Sequence, residues 1–118
     1  MTGVQTCALP ISLEATPYGR WTHGEAVSLG IVAEARLAAR LGVAGLETVQ
    51  RQERLLGALG LPVRTGGVDA DAVLAAIRRD KKARDGHVPF VLAPSIGAFR
   101  LVYDVGQDDV SAILAGLA

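Results

Sequence analysis

The sequence predicts a mainly α fold carrying a single β-hairpin, and three observations predict it. Alanine, leucine and glycine abound while aromatic residues make up only 4% of the 118 residues, a balance that favours packed helices. Four stretches carry apolar residues at helical spacing, each bounded by Gly, Pro or a capping residue. One later stretch turns β-like on both sides of Pro94-Ser95-Ile96-Gly97. A hydrophobic share of 50% against 20% charged residues describes a single globular domain able to bury a real core. The formal net charge of zero gives no overall electrostatic footprint for nucleic acid or an acidic membrane.

In chain order, Ser12 to Ala15 reads as the end of a helix, broken by the turn Pro17-Tyr18-Gly19. A helix follows from about His23 to Leu41 and stops at Gly42. Its apolar residues, Val27, Leu29, Ile31, Val32, Leu37 and Leu41 with alanines between, occupy nearly the whole circumference. That is the pattern of a helix covered on most sides, and it suggests packing partners beyond a chain of this size. Glu34, Arg36 and Arg40 interrupt the run, which is also too short for the roughly 20 apolar residues of a membrane span. A second helix is expected from about Ala44 to Leu59, with Leu46, Val49, Leu56 and Leu59 on one stripe and Gly60 and Pro62 after it. Gly66-Gly67 reads as a turn, since no glycine-rich phosphate fingerprint surrounds it.

Asp69 or Asp71 can cap a third helix whose stripe is Ala70, Val73, Leu74 and Ile77. This helix ends in Arg78-Arg79-Asp80-Lys81-Lys82-Ala83-Arg84, and Asp85-Gly86 closes it. The hairpin is expected from Val88–Leu92 and Ala98–Tyr103. A last helix begins near Gln107, with Val110, Ile113, Leu114 and Leu117 at helical spacing.

Two clusters can carry chemistry. His23-Gly24-Glu25-Ala26-Val27 sets ionisable side chains in the first turn of an otherwise apolar helix, either aimed into a cleft or merely starting a helix whose dipole favours Glu. Arg78 to Arg84 holds five cations and one acid in seven residues. It is either a solvated helix end or an anion site, because Lys is a good point charge for phosphate. Lys81 lies four and seven residues beyond Ile77 and Leu74, hence on the inward face, whereas Lys82 follows Arg78 outward. A catalytic zinc needs three protein ligands, and the sequence offers His23 and His87. His87 sits in a polar turn where solvation is the simpler reading, and Glu25 and Glu34 read as helix-surface groups or as supports of a ligand.

Tyr18-Gly19-Arg20-Trp21-x-His23-Gly24-Glu25-Ala26-Val27, Leu37-Ala38-x-Arg40-Leu41-Gly42, Leu59-Gly60-Leu61-Pro62, Asp80-Lys81-Lys82 and Phe90-Val91-Leu92 up to Ile96-Gly97 together resemble the C-terminal domain of 3-dehydroquinate synthases, over residues 12–118. The resemblance implies the helical C-terminal domain of that fold. It implies a cytoplasmic lyase of the shikimate pathway that closes 3-deoxy-D-arabino-heptulosonate 7-phosphate to 3-dehydroquinate and releases phosphate. NAD would sit in an N-terminal α/β domain and zinc in the cleft between domains, the parent acting as a homodimer on its sugar-acid phosphate without nucleic acid or membrane. NAD would transiently oxidise a substrate hydroxyl, and zinc would act as a Lewis acid. His23 matches a zinc ligand of the family, and Lys81 and Lys82 match the region that holds substrate anions.

Residues 1–11 depart from the family. They resemble the translation of a sequencing-library adapter, a non-native scar rather than part of the fold. The family's Gly-His-x-x-Gly-His block would place its two histidines at Cys7 and Ile11, so Cys7 stands at a ligand position as a decoy. The rest of the chain has no cysteine, which leaves no disulfide there. The expectation is a fragment, inactive alone. A related sugar-phosphate cyclase is an alternative, and so, from a different class, is a small helical interaction or nucleic-acid module using Arg78 to Arg84.

Overall fold

The computed structural model describes residues 21–65, 68–83, 86, 89–103 and 105–117. The expected helix end at 12–15, the turn at 17–19 and the Gly66-Gly67 turn lie outside them. Among the described residues four helices, α1 (His23–Arg40), α2 (Leu46–Ala58), α3 (Ala70–Ala83) and α4 (Gln107–Ala115), accompany one hairpin, β1 (Phe90–Leu92) and β2 (Arg100–Val102).

The fold is built on α1. Its start is fixed by a reciprocal cap: Glu25 N–H donates to Thr22 Oγ1 at 3.1 Å, and Thr22 N–H donates to Glu25 Oε1 at 2.9 Å. Two otherwise orphaned amide donors are satisfied this way. Its end is fixed by Gly42, which takes a φ of +75°. That angle lets Val43 N–H bond Ala38 O at 2.8 Å and Gly42 N–H bond Ala39 O at 3.1 Å, the paired bonds that terminate a helix on a left-handed glycine. Gly60, at +78°, ends α2 with the same pair of bonds to Leu56 O and Gly57 O.

Between its caps α1 is buried almost all round, with Leu29, Val32, Ala33, Leu37 and Ala38 fully covered. Its described partners are α2, α4 and β1, so much of the covering expected from elsewhere is found within this chain. The two arginines that interrupt its apolar run are fasteners. Arg36 donates through Nη2 to Glu53 Oε1 of α2 at 2.7 Å and through Nη1 to Gly116 O at 2.6 Å. Arg40 pairs with Asp109 of α4 at 2.7 Å.

The stripe expected on α2 is only half used. Val49 and Leu56 are buried, but Leu46, the first residue of the helix, and Leu59, its C-cap, are each 66% exposed. Asp69 caps α3, accepting from Ala72 N–H at 3.0 Å, while Asp71 falls inside the first turn. The hairpin is antiparallel, with Phe90 opposite Val102 and Leu92 opposite Arg100. It is shorter than the composition suggests. Pro89, lacking an N–H, stands just before β1, and Gly97 at a φ of +86° makes the turn. Phe90 and Leu92 enter the core while β2 faces outward.

Candidate functional site

The C-terminal end of α3 forms one wall of a cavity of about 250 Å³. From α3 it is lined by Leu74, Ile77, Arg78 and Lys81; Phe90 and Tyr103 of the hairpin region and Gln107 and Val110 of α4 face them. The walls are thus apolar at the base and cationic at the rim. Lys81, read from the sequence as the inward lysine, lines this cavity; Lys82 does not. Both are exposed. Gly86 N–H donates to Lys81 O at 2.7 Å, with Gly86 at a φ of +85°, which folds the chain back over the end of the helix.

Arg78, assigned outward together with Lys82, is corrected by the structure, since it lines the same cavity. With 3.6 residues per turn, Arg78 stands roughly 60° from Lys81 around the helix and Lys82 roughly 100° from it, so Arg78 falls on the edge of the inward stripe. Its spacing of four from Leu74 is the signal available in the sequence. Tyr103 and Gln107 carry no comparable signal, because the hairpin and α4 bring them in from remote positions.

His23 is exposed as the first residue of α1 and is not part of the Lys81 cavity. Glu25 beside it is taken up by the cap with Thr22. Among the described residues no three His, Cys, Asp or Glu side chains are grouped so as to hold a metal ion, and a catalytic zinc needs three. These residues therefore do not make a zinc centre by themselves; His23 is the one imidazole among them. Nor do they include a glycine-rich strand-to-helix turn for a dinucleotide pyrophosphate. Cys7, Ile11, Arg84 and His87 lie outside the described residues. No described helix is long and apolar enough to cross a membrane.

Glu34 overturns its surface reading. It is buried in the middle of α1, only 6% exposed, and accepts a hydrogen bond from Val91 N–H of β1 at 3.3 Å. Burial pushes its carboxyl up from 4.5 to about 8, partly opposed by that hydrogen bond. A carboxylate in a helix pattern normally signals solvent. Here a strand 57 residues away crosses over it, which local spacing cannot register.

With this geometry in view, comparison with known proteins is informative. The model of the family described as 3-dehydroquinate synthase C-terminal matches residues 12–83. The chain belongs to this family. A 3-dehydroquinate synthase of Synechococcus sp. (strain CC9605) is 40% identical over 100 residues, covering 85% of this chain and 27% of that protein. One from Nostoc punctiforme is 38% identical over 103 residues, covering 86% and 28%. The chain thus spans little more than a quarter of these relatives. Among solved structures, a 2-epi-5-epi-valiolone synthase from Streptomyces hygroscopicus, with NAD+ and Zn2+ bound, superposes with a TM-score of 0.83 at 29% identity, covering 93% of this chain and 31% of that one. A 2-deoxy-scyllo-inosose synthase shares the fold at a TM-score of 0.79 and 19% identity, over 94% of this chain and 33% of the other. The mainly helical fold with one hairpin, expected of the C-terminal domain, is the one observed.

Proposed function

We propose that residues 12–118 are the helical C-terminal part of an NAD- and zinc-dependent, cytoplasmic 3-dehydroquinate synthase, which converts 3-deoxy-D-arabino-heptulosonate 7-phosphate to 3-dehydroquinate and phosphate. The observation that carries this reading is a cation-rimmed cavity at Lys81 in a chain of the 3-dehydroquinate synthase C-terminal family. NAD and zinc are supported by the valiolone synthase relative, which holds both. The dinucleotide would bind outside this chain and supply hydride chemistry.

The chain's own residues do three things in this reading. The His23 imidazole, held at a capped helix start, offers one metal ligand on a rigid support. The ammonium of Lys81 binds a substrate anion as a point charge, with the Arg78 guanidinium beside it. The apolar floor of Leu74, Ile77 and Val110 lowers the local dielectric and strengthens that attraction.

Joining residues 12–118 to the N-terminal part of the Synechococcus relative tests the proposal. The chimera should release phosphate from 3-deoxy-D-arabino-heptulosonate 7-phosphate. His23→Ala should lose turnover and bound metal together while keeping the helical circular dichroism. Full activity in that variant would sink the metal role. A related cyclase is favoured as the second reading by the valiolone synthase likeness, and phosphate release from a different sugar phosphate alone would decide for it.

A further inference from the structure

Gln107 has no part in the chemistry proposed above, yet it stands on the wall of the Lys81 cavity that faces α3. It is the first residue of α4, and Val105 and Val110 line the cavity on either side of it in the chain. Elsewhere in the molecule cations are matched to acids: Arg36 holds Glu53 and Arg40 holds Asp109. At this cavity they are not. Among the described residues neither the Arg78 guanidinium nor the Lys81 ammonium has an ion-pair partner, the Gln107 carboxamide has no hydrogen bond, and no carboxylate lines the walls. Two cations three residues apart on one helix are neighbours that repel each other. An anion in the cavity relieves that repulsion.

A group seated there meets both walls. At about 250 Å³ the cavity lies just below the usual range of ligand pockets, about 300–1,000 Å³, so a ligand that fills it touches α3 and α4 together. The two sides offer different chemistry. An ammonium attracts as a point charge and is nearly indifferent to direction, whereas a carboxamide N–H rewards only an acceptor placed along its axis and adds no charge of its own. We propose that Gln107 is a specificity-determining residue of this site: its carboxamide donates to the oxyanion that Lys81 and Arg78 attract, so that the anion is clasped from both helices.

This role rests on the cavity being the site of the substrate anion. A sugar-acid phosphate carries two oxyanions, its phosphate and its carboxylate, and the same set of donors receives either. Val105 and Val110, which line the wall with Gln107, present no competing polar side chain to the hydrogen bond.

NMR titration of the 118-residue chain with inorganic phosphate, and separately with acetate, tests the clasp. The tighter-binding anion should move the side-chain signals of Gln107 and Lys81 with one shared midpoint, and its identity tells which end of the substrate lies here. Gln107→Leu should weaken that binding at least about tenfold, the size of a lost hydrogen bond to a charged group. Gln107→Glu should weaken it further, because a carboxylate repels the anion. A glutamate in the first turn suits the helix dipole, so unchanged circular dichroism is expected and the loss is not one of folding. Binding that falls in Lys81→Ala but is indifferent to both Gln107 variants overturns the role of Gln107 and leaves the anion site standing. Binding indifferent to Lys81→Ala, or no binding of either anion, overturns both.

Discussion

The middle of α1 and the end of α3 both place ionisable side chains next to a cavity, and the two do opposite things with them. In α1 a single carboxyl is buried under β1 beside Ile31, Ala35, Gln52 and Val91. In α3 two cations stand at the rim of a larger cavity, with water on one side and an apolar floor on the other. Their sequence patterns are alike, a charged residue beside an apolar helical stripe. What separates them is depth: α1 is overlaid on several sides, whereas α3 packs on α4 and leaves its last turn open. Burial converts an ionisable group into a stability and pH element; exposure beside a cavity leaves its charge available to a ligand.

The largest effect should come from the buried carboxyl. Between pH 4.5 and 8 the unfolded chain gives up the Glu34 proton while the folded chain keeps it. Glu34 thus stabilises fully below pH 4.5, and that contribution is lost as pH rises to about 8. Each tenfold difference in proton affinity between the folded and unfolded chain is worth about 1.4 kcal/mol, so the loss is on the order of several kcal/mol. Urea denaturation across this range should show it in the unaltered chain, and Glu34→Gln should remove most of the slope. A flat profile in the unaltered chain would contradict the burial.

Next in size is packing on the same helix. Leu37 is fully buried, and Leu37→Ala should cost about 2–5 kcal/mol by urea denaturation, the range for a leucine cavity in a core that relaxes little. At the open end of α3 the difference between neighbours is the test. In the chimera, Lys81→Ala should lower kcat/KM by the equivalent of about 1.5–3 kcal/mol, through loss of a charge-assisted bond to a substrate anion. Lys82→Ala should change it far less. A larger loss at Lys82 would show that the anion sits on the other side of the helix. The smallest effect belongs to residues 1–11. If they are a scar, their deletion should leave stability within about 0.5 kcal/mol; a loss of several kcal/mol would make them part of the fold.

Much of this comparison is legible in the sequence. Period and punctuation locate the four described helices and the hairpin, because Gly42, Gly60 and Gly97 stand where left-handed backbone is required. The spacing of Lys81 from Ile77 and Leu74 puts it on the inward face. What stays hidden depends on pieces that meet only in three dimensions. Glu34 reads as solvated because β1, which covers it, is remote in the chain. Leu46 and Leu59 read as buried because periodicity states which way a side chain faces and not whether anything covers it at the end of a helix. Arg78 reads as outward because it sits at the margin of a stripe, where a cavity's width decides which side it joins.

The Arg36 guanidinium, which holds Glu53 with one nitrogen and Gly116 O with the other, ties together two loops of very different length. The first bond closes a loop of 17 residues and the second a loop of 80. On a flexible chain the longer closure is less favourable by about 1.4 kcal/mol, from (3/2)RT ln(80/17). On this term alone the α1–α2 pair is the easier contact to form, and docking of α4 onto Arg36 is expected to follow it; pulse-labelled amide exchange in which α4 gains protection before α2 would contradict that order.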